Sequence, residues 1–220
     1  MCGLSPEPSR ANEAPLGAGV GKRIHAWVMA RFGDRYERLI SDRKRALLGE
    51  LRGEILEIGP GAGPNLSYYP DGCRWVGVEP NPFMDLHLYE SARKVGLNVE
   101  IHRGTAENLP LADASIDAVV STLVLCSVRD LERVLREIVR VLKPGGEFVF
   151  IEHVAAPDGT RLRRIQRIIR FLWKVIGDGC CPDRETARAI QVAGFAQVEL
   201  DEFRLPLGPV SPHIAGRAVR

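Results

Sequence analysis

From Glu54 onward, short runs rich in β-branched and aromatic residues alternate with longer stretches of helical periodicity. That alternation restricts the chain to an α/β fold, a largely parallel sheet with helices packed on its faces, because parallel neighbours must be joined by crossovers. EILEI (54–58), RWVGV (74–78), NVEIH (98–102), IDAVVST (116–122) and EFVFIEH (147–153) are the predicted strands. Pro82 to Val95, and Asp130 to Leu142 with Leu131, Val134, Leu135, Ile138 and Leu142 in register, are the predicted crossover helices. The second of these stops at KPGG (143–146), where Pro144 cannot continue the ladder. Residues 183–203 read as a helix, a cap at Gly194 and a strand; IAGRAV (214–219) closes the chain as a further strand. Ahead of the first strand, residues 24–40 are expected to form one or two amphipathic helices split near Gly33.

Length and charge narrow the function. A chain of 220 residues, 45% apolar, has enough core to fold without a disulfide framework or a structural metal. Its formal charge of +2 lacks the basic surplus that phosphate neutralisation requires, so a nucleic-acid partner is not expected. No spanning segment is expected either: the longest apolar run, Ala118 to Val128, is interrupted by Ser121, Thr122 and Ser127 and falls short of roughly 18 residues. The first 22 residues, rich in Pro, Gly and Ala, read as a disordered leader rather than a secretory signal. Five cysteines, an odd number without CxxC spacing, fit a reducing, cytoplasmic setting. The histidines show no short ligand spacing, and no metal is expected.

The chemistry concentrates in EIGPGAG (57–63), which leaves an apolar strand and leads toward an expected helix. Gly59, Gly61 and Gly63 let the backbone turn sharply and approach a ligand. The GxGxG spacing departs from the GxGxxG of dinucleotide sites and, with Glu57 at the strand end, suits a ligand without phosphates. About 20 residues on, VGVEPN (76–81) ends the second strand on Glu79, positioned to accept hydrogen bonds from both ribose hydroxyls. GTAENLP (104–110) follows the third strand, where Glu107 and the Ala106 amide are candidates for reading an adenine edge.

Taken in order, EIGPGAG, VEPN, GTAENLP, IDAVVST and RVLKPGG (140–146) resemble the class I S-adenosylmethionine-dependent methyltransferases, over the stretch from about Glu54 to the end of the chain. STLVLCSV (121–128), FIEHVAAP (150–157), GDGC (177–180) and SPHIAGRA (211–218) resemble the methyltransferase-like 7 group of alkyl-thiol methyltransferases. The resemblance implies a doubly wound, Rossmann-like seven-stranded sheet in the order 3-2-1-4-5-7-6, its last strand antiparallel, within one domain over 23–220 whose helical cap covers about 23–50. It implies S-adenosyl-L-methionine as cofactor, S-adenosyl-L-homocysteine as product and a small-molecule acceptor. Implied cofactor contacts are Glu57, Gly59, Pro60, Gly61 and Gly63 beside the methionine part, Glu79, Pro80 and Asn81 at the ribose, Thr105, Ala106 and Glu107 at the adenine, and Thr122 and Leu123 along the ligand. Thr105 stands where many relatives carry Asp, which shifts the adenine contact toward Glu107. Animal members of the thiol group begin with a hydrophobic anchor, and the Gly/Pro-rich leader here is not one.

The acceptor side is less sharply defined. His153, at the end of the fifth strand, is the first candidate base, and the resemblance adds Asp178 and His213 near the acceptor. Cys126 lies in an apolar run and reads as a small buried hydrophobe. Residues 160–177 carry six cations and no acid between Arg161 and Lys174, with a broad apolar stripe on the other side of the helix. That stripe either closes over the active site, leaving the arginines solvated, or lies on an anionic membrane surface as a peripheral contact. Both readings make the acceptor apolar, with a thiol favoured. Shared cofactor motifs leave open C- or O-methylation of quinone-like or phenolic acceptors, N-methylation of phospholipid headgroups, and cofactor binding without turnover.

Overall fold

The computed structural model describes residues 35–177 and 179–220. Residues 1–34, which hold the expected leader and the first part of the cap, and Asp178 lie outside the described residues. Seven strands form one sheet: β1 (Glu54–Ile58), β2 (Arg74–Glu79), β3 (Val99–Arg103), β4 (Ile116–Thr122), β5 (Leu142–His153), β6 (Gln197–Arg204) and β7 (Pro212–Val219). Their order is β3-β2-β1-β4-β5-β7-β6, with β7 antiparallel to both of its neighbours and the other pairs parallel. The described helices are α1 (35–48), α2 (Asp85–Val95), α3 (Leu131–Val141), α4 (Arg161–Ile176) and α5 (Thr186–Gln191).

The two-residue strand period assigns the core. In β1, Leu56 and Ile58 face one side and join Val78, Val134, Ile138, Phe148 and Phe150 beneath α3. Ile55 faces the other side with Trp75, Leu88, Ala118 and Val120, beneath α1 and α2. Because the side chains alternate, Glu57 also faces this second side. It is enclosed there.

Two expectations change. No α-helix follows the glycine turn; Leu66–Tyr68 makes one 3-10 turn, since Pro64, Pro70 and Asp71-Gly72 leave too short a run for an α-helix. KPGG belongs to β5, which begins at Leu142 and pairs with Ile116 before a register shift brings Glu147 opposite Ala118. The Pro and the two glycines occupy that irregularity.

Candidate functional site

Parallel strands β1, β2 and β4 end together, and the turns that leave them form a crevice at their carboxyl ends. Gly59 has φ +61°, and a Cβ there would come within 2.7 Å of Val124 Cγ2 on the neighbouring turn. Gly61 has φ +55° but a Cβ would meet nothing within 4 Å, so open space lies directly over its backbone. The first glycine is needed for packing and the second leaves room for a ligand.

Glu79 ties the β1 and β2 turns together. Its Oε2 accepts from the Gly61 N–H at 3.0 Å and its Oε1 from the Asn81 N–H at 2.8 Å. Burial raises its pKa, against which the Asn81 and Gly61 N–H groups and the Arg103 guanidinium hold the charged form. Each oxygen keeps a further lone pair. Asn81 Oδ1 caps the following turn by accepting from Phe83 N–H, while Pro80 is exposed and Pro60 packs toward Gly77 of β2.

Glu57 is used differently from its neighbours. Its carboxylate accepts from Asn65 Nδ2 at 2.8 Å, Tyr69 Oη at 2.7 Å and Trp75 Nε1 at 3.2 Å, all within the core. Burial raises its pKa and those three donors oppose the rise. Asn65 Nδ2 also donates to Thr122 Oγ1, which joins the ends of β1 and β4. The amide's other atom, Asn65 Oδ1, is buried with no partner among the described residues. Asn65 was missed in the sequence, although it stands two residues beyond the last glycine of the turn.

On the adenine side, Glu107 already has partners. Its Oε1 accepts from Arg129 N–H at 2.8 Å, next to the start of α3 where N–H groups are left unpaired. Thr105 is exposed and Ala106 is buried. Leu123, just past β4, has φ +57°, a conformation that costs a branched side chain of order 1–3 kcal/mol. It is held there by its N–H bond to Ile151 O and by Glu152, whose Oε1 accepts from Ser121 Oγ and from the Val124 and Leu125 N–H groups. Glu152 was a second residue the sequence did not single out.

His153 and His213 are register partners on β5 and β7, with ring centroids 6.2 Å apart, edge to face. His213 Nδ1 lies 3.0 Å from Ser211 O and donates to it, and burial lowers its pKa to about 4. His153 Nε2 is 3.0 Å from Cys180 Sγ, and its Nδ1 has no partner among the described residues. Cys126 joins them, so the two sulfurs and one imidazole converge from the segment after β4, the end of β5 and the turn after α4. Sequence spacing did not bring these three together, since no short motif contains them. A cavity of about 530 Å³ opens beside them, lined by Val154, Arg163, Glu185, Glu202, Phe203 and His213.

The comparisons identify the family. Residues 56–150 match the family described as Methyltransferase domain. The human protein named Thiol S-methyltransferase TMT1B is 38% identical over 90% of this chain and 87% of its own length. The chain belongs to the methyltransferase family. Human Thiol S-methyltransferase TMT1A is 36% identical over 93% of this chain and 89% of its own length. Among solved structures, the [4+2]-cyclase SpnF shares the fold with a TM-score of 0.66 at 20% identity, covering 84% of this chain and 80% of that one. A Haloferax volcanii methyltransferase in complex with its Trm112 activator gives 0.68 at 18%, covering 91% and 97%. In this methyltransferase the seven-stranded sheet is thus the expected one, strand for strand.

Proposed function

We propose that the protein transfers a methyl group from S-adenosyl-L-methionine to the sulfur of a small thiol. The observation that carries cofactor use is the Gly61–Glu79 pairing: an open glycine turn fastened to a buried carboxylate with lone pairs to spare. In this reading Glu79 receives the ribose hydroxyls, the backbone of Gly59 to Gly63 borders the methionine part, and the orphaned Asn65 Oδ1 accepts from its ammonium. Glu57 and Thr122 act through Asn65, which they hold in place. With Glu107 Oε1 engaged beside α3, its other oxygen and the backbone at Thr105 and Ala106 are left for the adenine edge. The Leu123 turn forms the crevice wall.

When bound, S-adenosyl-L-methionine supplies a methyl on a sulfonium, which in-line attack by a thiolate removes, leaving S-adenosyl-L-homocysteine. The protein's share is alignment and exclusion of water. The thiol acceptor follows from the TMT1A and TMT1B names and from the length over which the chains correspond. His213 is poorly matched as a base, since its pKa of about 4 lies far below a thiol near 8.5. It lines the cavity bounded by Val154 and Glu202, where its ring also lies against Phe203. Rates should therefore rise with pH up to the acceptor thiol's own pKa, about 8.5 for a cysteine-like thiol, following its thiolate fraction.

The test is calorimetry with S-adenosyl-L-methionine on the wild type and Gly61→Arg, followed by labelled-methyl transfer to thiol, quinol and lipid acceptors. Binding by the wild type, its loss in the variant and label on the thiol are expected. Absence of wild-type binding overturns cofactor use, and label confined to quinol or lipid overturns the thiol.

No helix among the described residues is long and apolar enough to cross a membrane. We place the protein's membrane contact instead on α4, as a peripheral one. Ile168, Phe171, Val175 and Ile176 are each at least 70% exposed, with Arg164, Arg167 and Lys174 beside them. An apolar strip bordered by cations suits an anionic bilayer surface. Flotation with phosphatidylserine vesicles but not with neutral ones is the expected result; equal recovery with both, or with neither, overturns it.

A further inference from the structure

We propose that Cys126, His153 and Cys180 form a binding site for a soft divalent metal ion, with zinc as the natural occupant. Their ligand atoms, two Sγ and one imidazole nitrogen, all lie within 4.8 Å of one another, and all three residues are buried. Tetrahedral zinc, with bonds of about 2.3 Å to sulfur and about 2.0 Å to nitrogen, sets its ligands roughly 3.5–3.8 Å apart, so an ion needs only small side-chain adjustments. Two thiolates and an imidazole are the donor set that favours zinc over the hard, oxygen-seeking ions.

The second observation is the polar accounting at His153. The residue is 4% exposed, yet neither ring nitrogen meets an oxygen or nitrogen partner among the described residues; Nε2 has the Cys180 sulfur and Nδ1 has none. Buried imidazoles are seldom left in that condition. A metal on Nε2 would stand between that nitrogen and the Cys180 sulfur now 3.0 Å from it and fix the tautomer with the proton on Nδ1, which keeps no partner among the described residues. The surroundings are already rigid: Cys181 N–H donates to Cys126 O, and Arg184 donates to Leu125 O and Val128 O, so the turn carrying Cys180 is fastened to the segment carrying Cys126. Three protein ligands leave a fourth tetrahedral position.

Binding balances without any redox partner. The two thiols each lose a proton to solvent, their sulfurs and the Nε2 lone pair each form one bond to the ion, and the metal keeps its oxidation state. The site does not depend on which acceptor the enzyme methylates.

The full-length protein, purified with reductant and without chelator, is the material for the test. Elemental analysis should find about one zinc per chain, and replacement by Co(II) should give thiolate-to-cobalt charge-transfer and tetrahedral d–d absorption. Cys126→Ala and Cys180→Ala should each weaken Co(II) binding by at least ~100-fold, beyond the 10–100-fold typical of losing an outer partner, while Cys73→Ser leaves it unchanged. Calorimetry with S-adenosyl-L-methionine on the same samples reports whether the variants remain folded and keeps this question apart from cofactor use. A metal-free protein whose Co(II) spectrum shows no thiolate band overturns the proposal, and so does a Cys126–Cys180 disulfide in peptide maps of the reduced-lysate protein.

Discussion

Helices α3 and α4 are both amphipathic, and they face opposite ways. In α3 the apolar residues Val134, Leu135, Ile138 and Val141 are buried against the sheet, and the charged residues face outward. In α4 the buried residues are Arg163 and Gln166, while Ile168, Phe171, Leu172, Val175 and Ile176 face outward. Hydrophobic burial holds the first helix in place. Hydrogen bonds fasten the second: Gln166 donates to Val154 O and Pro209 O and accepts from Ala156 N–H, and Arg163 reaches Asp183 O and Glu185. A periodic stripe therefore shows that a helix has two faces, and the partners decide which one is inside.

This contrast can be broken by substitution. The largest effect is expected at Val134→Asp, which puts an unpaired carboxylate into the core beneath α3; urea unfolding should show a loss of more than about 4 kcal/mol or no folded protein. Gln166→Leu comes next. Although it makes the inner face of α4 apolar, it strands two carbonyls and an amide N–H, and should cost about 2–4 kcal/mol in the same experiment. A stabilising Gln166→Leu would mean that α4 is an ordinary helix in an unusual place. Arg163→Leu should cost less, roughly 1–2 kcal/mol, because Glu185 is half-exposed and regains water when its partner goes. The smallest stability effect belongs to Phe171→Asp, within about 0.5 kcal/mol, yet this variant should lose vesicle flotation. A Phe171→Asp penalty near that of Val134→Asp would show that the outer face of α4 is covered.

The same contrast separates what could be read in the sequence from what could not. β1 and β4 have the expected bounds, and α3 ends one residue short of expectation, because local periodicity and the position of Asp130 as its N-cap set these elements. The helix at 160–177 was found as an element, but neither a lid with solvated arginines nor its inner polar anchors follow from composition. Those anchors are loop carbonyls, and they become partners only after β5, β7 and α5 are assembled. In the crevice, glycine spacing and Glu79 were legible because adjacent strand ends recur with a fixed geometry. At Glu107 the bond from the Arg129 N–H to one carboxylate oxygen was not legible, because the two residues meet only once α3 is in place. Cys126, His153 and Cys180 meet only through the sheet order, so each looked solitary in the chain.

The left-handed Leu123 has a practical consequence for anyone engineering this enzyme. A stability screen should enrich glycine at this position, since glycine adopts that backbone freely whereas leucine is strained in it. The same change would remove a side chain from the turn that Glu152 holds beside the glycine turn and that carries Val124 against Gly59. Thermal tolerance gained at Leu123 is then a poor guide to a better catalyst, and turnover has to be scored alongside melting temperature from the first round of selection.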